Sequence, residues 1–327
     1  MFQNTPLFFM FGLLVVAYFI SCAGQRLITW FVLSVFSIIY VLYSSGRVGG
    51  VDTPLYRVMF GDDEGCARFE YGFYQLCRLD STSGFSFTFL LSSVLLLFVI
   101  YRISENSRVF AVAALILFPL YFVIVDMGYL RQSLATSILY LFCVNQERRG
   151  VRLIGYVMAL FFHIPSLALI FFFELLYSKK KIQFSLVLSA LLLITVTVWM
   201  VLKWIDMELI GLFAKSFSLN SIVQLIFLLT LNAIAAIQFK WKARVTVFVT
   251  LVCIAGYLGH FYRVYLFLVP IVAVGVAHYV VKRRISVRLW TLVILTIFGF
   301  SKLSASIDEF DGAFDIPYSE NLLFWFT

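Results

Sequence analysis

This chain encodes an all-α protein that crosses a lipid bilayer many times, and three features say so. Of its 327 residues, 62% are hydrophobic and 13% charged, with a mean hydropathy of +0.99; a soluble domain is about half apolar and about a quarter charged. Apolar runs recur along the chain at the length of about 20 residues that crosses the hydrocarbon core. They lack the two-residue alternation of a β-barrel, and open sheet edges do not survive in lipid, which leaves helices. No polar stretch is long enough to bury a core of its own, so residues 1–327 read as a single integral membrane domain.

The first run lies near 7–23. It has no basic flank and no small-residue cleavage site, so it reads as a span rather than a signal peptide. A second lies near 27–44, followed by a polar loop over 45–84 that exceeds an ordinary connection and so reads as functional or partly folded. Spans near 85–103, 109–126 and 129–145 come next. The stretch 153–177 is apolar but flanked by Arg148, Arg149 and Arg152 on one side and Lys179, Lys180 and Lys181 on the other. A single span would set these groups on opposite sides of the membrane, against the positive-inside rule. A re-entrant hairpin that breaks at His163-Ile164-Pro165-Ser166 keeps both basic ends inside, and Pro165 disfavours helix at the residue before it. Arms of about a dozen residues at 1.5 Å each carry the tip ~18 Å into the membrane. Spans near 183–203, 221–239, 245–259, 263–281 and 289–304 bring the total to about ten, with a tail at 305–327.

With that hairpin the basic residues order the topology. Arg26, Arg102, Arg108, Arg148, Arg149, Arg152, Lys179 to Lys181, Lys240, Lys242, Arg244, Lys282 to Arg284 and Arg288 share the inner side. Of 17 acids only Glu105, Glu147 and Glu174 join them, and the others, Asp126 among them, fall on the outer side. The net charge of +8 is therefore an orientation signal, and nucleic acid is excluded as a partner. The bilayer itself is the partner, and the loop 45–84 and tail 305–327 are extracytoplasmic.

Candidate chemistry sits on that outer side. Arg131 opens the span near 129–145, and its planar fork of donors suits phosphate; snorkelling to the interface is the bland alternative. Gln132 beside it, with Ser133, Ala135, Thr136 and Ser137, suggests a close-packed interior helix. Glu70 reads either as a general base for a sugar hydroxyl or as an ion-pair partner of Arg68 or Arg131. His163 falls at the hairpin tip, where it serves packing or function. Asp52, before Thr53-Pro54, is a helix cap or a functional carboxylate, and Tyr56 is an interfacial aromatic or a substrate contact. His260 and Arg263 share a predicted outer turn, as an aromatic-belt turn or as a second phosphate site. Cys66 and Cys77 lie in one loop, as a disulfide if that loop is outside or as two free thiols. No metal-ligand spacing and no nucleotide loop occurs, so the chemistry is read as metal-independent and free of cofactors; Asp62-Asp63-Glu64 is a weak cation site or a solvated loop.

Gly50-Val51-Asp52-Thr53-Pro54-Leu55-Tyr56, Glu70-Tyr71-Gly72-Phe73, Leu130-Arg131-Gln132-Ser133-Leu134-Ala135 and Phe162-His163-Ile164-Pro165-Ser166-Leu167-Ala168 follow one another in that order. Over residues 45–170, with a looser match at His260 to Arg263, this series resembles the EpsG-like bacterial polysaccharide polymerases, which include Wzy-type O-antigen polymerases. Pro165 and the acidic insert Asp62-Asp63-Glu64 depart from that pattern. The resemblance implies a GT-C-like membrane fold in the bacterial inner membrane, with the active site facing the periplasm. It implies a glycosyltransferase that polymerises undecaprenyl-pyrophosphate-linked oligosaccharide units, beside a flippase and a chain-length regulator. Its Arg, Glu, Asp and His positions fall on Arg131, Glu70, Asp52 and His163. Bottom-up, the same inventory makes Arg131 and Arg263 the pyrophosphate ligands and Glu70 or His163 the base. A flippase for the same glycans is the rival, but a transporter is expected to show paired broken segments in two related halves, and one broken segment is visible. A ligase would be expected to carry a large outer domain, which the sequence lacks.

Overall fold

The computed structural model describes residues 5–45, 66–67, 69–83, 87–127, 129–144, 146, 148–177, 219–258 and 265–309. Among these there is helix and turn and no strand. The chain divides into two compact units, residues 1–166 with 277–327, and residues 167–276.

The first unit is built around one central element. Helix α5 (Ser107–Leu117) continues as a π-helical segment (Phe118–Asp126), and every residue from Ser107 to Asp126 is buried. Asn106 starts it, its side chain accepting from the Val109 N–H at 3.0 Å and satisfying a first-turn donor that has no partner within the helix. Glu105, in the left-handed region at φ 63°, turns the chain into that cap from the preceding helix. Pro119 donates no backbone N–H, and the hydrogen-bond ladder changes from α to π register where it stands.

Around this axis pack α1 (Thr5–Cys22), α2 (Arg26–Ser45), α4 (Phe87–Ser104), α6 (Leu130–Cys143) and the last helix, α12 (Ile285–Glu309). Phe36 of α2 meets the rings of Phe118 and Phe122, and Phe11 of α1 stacks on Phe118. Large apolar side chains on the outer ring, such as Phe31 and Trp290, stay exposed, as expected of faces turned to lipid. Helix α3 (Tyr71–Ser83) belongs to the loop 45–84. It is held to α4 by Asp80, whose carboxylate accepts the N–H groups of Phe87 at 2.9 Å and Thr88 at 3.2 Å. Helix α7 (Arg149–Phe162) lies along α6 and ends at His163, which is extended (φ −164°, ψ 106°). A 3₁₀ turn, Ile164–Ser166, packs back on α6.

The second unit contains α8 (Leu167–Tyr177), α9 (Leu219–Gln238), α10 (Ala243–Leu258) and the first half of α11 (Val269–Val281). Phe171 meets Phe248 edge to face and Phe172 meets Trp241. Tyr265 donates to the Asn232 side-chain oxygen at 3.1 Å, which joins two buried polar side chains.

The protein is thus an all-helical membrane protein. By length and composition four of the described helices can cross a bilayer: α2, α4, α5 with its π segment, and α12. Helices α1, α8, α9, α10 and α11 also carry apolar runs, but shorter ones. The expected span near 183–203 lies outside the described residues. That near 129–145 is a helix of 14 residues with buried Gln132, Ser133, Thr136 and Ser137, polar because it faces protein instead of lipid. The break expected at 163–166 is present. The tail expected from 305 begins instead as helix, since α12 runs on to Glu309.

Candidate active site

Three of the residues singled out in the sequence meet at one point. Arg131 stands in the first turn of α6, Glu70 directly precedes α3, and His163 caps α7. The Arg131 Nη1 donates to Glu70 Oε2 at 2.9 Å, and the His163 Nδ1 faces Glu70 Oε1 at 3.6 Å. The guanidinium also lies over the Phe69 ring, 5.1 Å from its centre, a second favourable contact for a planar cation. Side-chain exposure is 29% for Arg131, 16% for Glu70 and 17% for His163, so the trio is sheltered yet open to a ligand.

The local sequence explains how α3 and α7 come so close. A Cβ at Gly72 would lie 3.0 Å from the Phe161 carbonyl oxygen and 3.2 Å from the Phe162 ring. Only glycine lets the two backbones approach in this way. Behind the trio, Cys66 and Cys77 form a disulfide with a Cα–Cα distance of 5.7 Å. It packs with Phe73, Phe89, Leu130 and Leu134, so α3, α4 and the start of α6 share one small core. Phe69 and Glu70 lie inside the loop that this disulfide closes.

Glu70 is electrostatically committed. Burial alone would raise its carboxyl, but the His163 imidazole, the local backbone and the Arg131 guanidinium overcome that and hold it at about 2. It is therefore an anion across the physiological range. Of its two expected partners, Arg131 is the one observed, and Arg68 lies outside the described residues.

Gln132 is 2% exposed and belongs to the interior of the bundle, so the exposed part of this helix turn is supplied by Arg131. Asp52, Tyr56, His260 and Arg263 lie outside the described residues.

A further acidic residue was passed over in the sequence. Asp126 falls at the end of a long apolar run and reads there as one more outer-side carboxylate; the structure gives it no exposed surface. Its Oδ1 accepts from Ser92 at 2.5 Å and Ser133 at 2.6 Å, and its Oδ2 from Tyr40 at 2.5 Å, Ser93 at 2.8 Å and Ser44 at 3.4 Å. The signal was available: an acid in a membrane span is rare, and serines and a tyrosine inside neighbouring spans are its natural partners.

The EpsG family model matches residues 28–319, from α2 to beyond α12. The chain belongs to the EpsG family. No curated protein and no solved structure matches it. Membership of the EpsG family points to a polymerase-like role in the synthesis of exopolysaccharide or O-antigen. Among the described residues of this EpsG-family chain, the Glu70–Arg131–His163 trio brings a cation, a carboxylate and an imidazole to one partly exposed point.

Proposed function

We propose that this EpsG-family protein is a GT-C-like glycosyltransferase of the bacterial inner membrane. It polymerises undecaprenyl-pyrophosphate-linked repeat units on the outer face and needs neither metal nor cofactor. The observation that carries this reading is the convergence of Arg131, Glu70 and His163 from three separate segments on one sheltered, partly exposed point. A disulfide directly behind it supports an oxidising, extracytoplasmic location.

In the reaction, the bond between the anomeric carbon of the growing chain and its pyrophosphate oxygen breaks. A bond forms from that carbon to a hydroxyl of the incoming unit, the hydroxyl proton passes to a base, and undecaprenyl pyrophosphate departs. Donors are needed where negative charge grows on the leaving oxygen. The planar guanidinium fork of Arg131, which meets Glu70, has a shape that also suits phosphate oxygens. Arg263, also read as a phosphate ligand, remains a candidate for a second contact.

The lowered Glu70 carboxyl supports His163 as the base. A carboxyl held at about 2 by its partners is a poor proton acceptor near neutrality. Glu70 is therefore the orienting anion, and His163 the acceptor of the proton. With Nδ1 turned to Glu70, Nε2 is the ring nitrogen assigned to the sugar hydroxyl. Asp52, Tyr56 and His260 are assigned to binding and shaping the substrate path, while the buried Gln132 packs the interior behind Arg131. Residues 153–177 form the re-entrant hairpin that carries His163, and a flippase and a chain-length regulator act on either side of this step.

The test is surface-glycan length on a gel, in a deletion strain carrying either the wild-type gene or Arg131→Ala at equal expression. The expected result is a ladder for the wild type and single-unit glycans for the variant. A full ladder with Arg131→Ala removes Arg131 from the mechanism. If the wild type alters even the single capped unit, the protein acts in flipping or ligation and the polymerase reading falls.

A further inference from the structure

Asp126 has no part in the chemistry above, yet among the described residues it is a fully buried carboxylate that accepts from five hydroxyls. A buried acid without such partners would cost several kcal/mol, on the order of an uncompensated ionic group; here hydroxyls of α2 (Tyr40, Ser44), α4 (Ser92, Ser93) and α6 (Ser133) all point at it. It closes the π segment, whose register continues into the Met127 N–H bond to Phe122 O at 3.1 Å. Only residues 127–129 separate it from α6. The Tyr129 N–H returns to Val125 O at 2.7 Å, and the Ser133 N–H to Tyr129 O at 3.0 Å.

Ser133 stands two residues after Arg131. At about 100° per residue the two side chains leave α6 about 200° apart, on opposite faces. The side that holds Ser133 against Asp126 therefore fixes which way Arg131 points. It points at Glu70. The separation of roles is visible in the burial: Ser133 has no exposed surface, whereas the Arg131 side chain keeps 29%.

We propose that Asp126 is a positioning residue for Arg131: through Ser133 it sets the rotation and height of the first turn of α6, and so holds the guanidinium on Glu70. The consequence for turnover rests on the polymerase reading above. The consequence for geometry does not.

The test uses the full-length protein in lipid nanodiscs and has two readouts. The first is the rate at which a short bifunctional methanethiosulfonate cross-links a Glu70→Cys, Arg131→Cys pair, with and without Ser133→Ala or Asp126→Asn. Ser133→Ala removes one hydroxyl and leaves the carboxylate four other donors, so it keeps the fold. The expected result is a several-fold slower cross-link in both variants with cooperative melting retained, and recovery with Ser133→Thr, which restores the hydroxyl. Unchanged cross-linking, or a loss that only tracks unfolded protein, overturns the proposal. The second readout is turnover of lipid-linked oligosaccharides extracted from the deletion strain. Both variants should lower kcat about tenfold at unchanged KM, as expected when a group that acts on developing charge is slightly misplaced. A wild type that fails to polymerise defeats the functional reading and leaves the cross-linking result to decide this one. A wild type that polymerises, beside variants of wild-type kcat, defeats the positioning role itself.

Discussion

Gly72 is where a single methyl group tests the assembly of the site. A Cβ there would meet the Phe161 carbonyl oxygen at 3.0 Å, the Phe162 ring at 3.2 Å and the Phe161 carbonyl carbon at 3.3 Å. Two of these three atoms are backbone, so no side-chain rotation relieves the contact. Ordinary contact between carbon and its neighbours begins near ~3.5 Å, so α3 and the end of α7 must separate by roughly half an ångström. Glu70 lies two residues before Gly72 and His163 directly after Phe162, so the movement falls on the 3.6 Å pairing between them. Overpacking of this kind costs about 1–3 kcal/mol, and a displacement of this size at a reacting group costs about tenfold in rate. Gly72→Ala should therefore shorten the glycan ladder and lower the melting temperature in nanodiscs, and Gly72→Val should do both more strongly. Wild-type ladders and melting for Gly72→Ala would refute the claim that this close approach sets the Glu70–His163 geometry.

Three further outcomes follow from the same contacts. Arg131→Lys keeps the charge but loses the planar fork, so it should still cost about tenfold or more in polymer formed; a fully active lysine variant would mean that charge alone suffices. Glu70 contributes a pH-dependent stability whose sign is fixed by its lowered carboxyl: present in full above about 4.5, it is lost as pH falls from there through about 2. Its full size is about 3 kcal/mol, of which about 2 should be gone at pH 3. Melting at pH 6 and pH 3 measures it, and Glu70→Gln should change that difference by about 2 kcal/mol relative to the wild type, with the contribution of Asp80, raised to about 6 by burial, common to both; an unchanged difference would show that other groups cause it. Replacing both Cys66 and Cys77 by serine opens a loop spanning 11 positions, a loss of about 3 kcal/mol by chain entropy. A cysteine introduced by Tyr71→Cys, at an exposed position of the same loop, should be labelled by a membrane-impermeant thiol reagent from outside; labelling from the inner side only would invert the topology.

What could be read from the sequence divides along physical lines. Helix positions follow from apolar run length, a local property, and so do the break before Pro165 and the polar, protein-facing character of α6. Glu70, Arg131 and His163 were recognisable one by one because each is a charged or titratable side chain beside an apolar segment, where such groups are costly and rarely idle. The Glu70–Arg131 pair was one reading the sequence left open; the meeting of all three was not legible, because it depends on Gly72 and the disulfide bringing α3 onto α6 and α7. The disulfide itself stayed open in the sequence, since spacing alone does not distinguish it from two thiols.

Asp126 shows the limit more sharply. As a lone acid at the end of a long apolar run it looks like a residue reaching the interface, and apart from Ser133 its partners are serines and a tyrosine distant in the chain, Ser93 by 33 positions and Tyr40 by 86. None of those hydroxyls is conspicuous, because a single Ser or Thr in a membrane helix satisfies itself on a carbonyl one turn back, as Ser34, Ser37 and Thr291 do here. What separates the two cases is density: five hydroxyls converge on one carboxylate, Ser93 doing so while it also reaches the Phe89 carbonyl one turn back. An arrangement that draws three helices onto one side chain is specific in rotation as well as in distance, which hydrophobic contact between helices in lipid is not. This makes a buried acid beside the first turn of α6 a sensible place for a membrane protein to set the direction of an arginine on the opposite face.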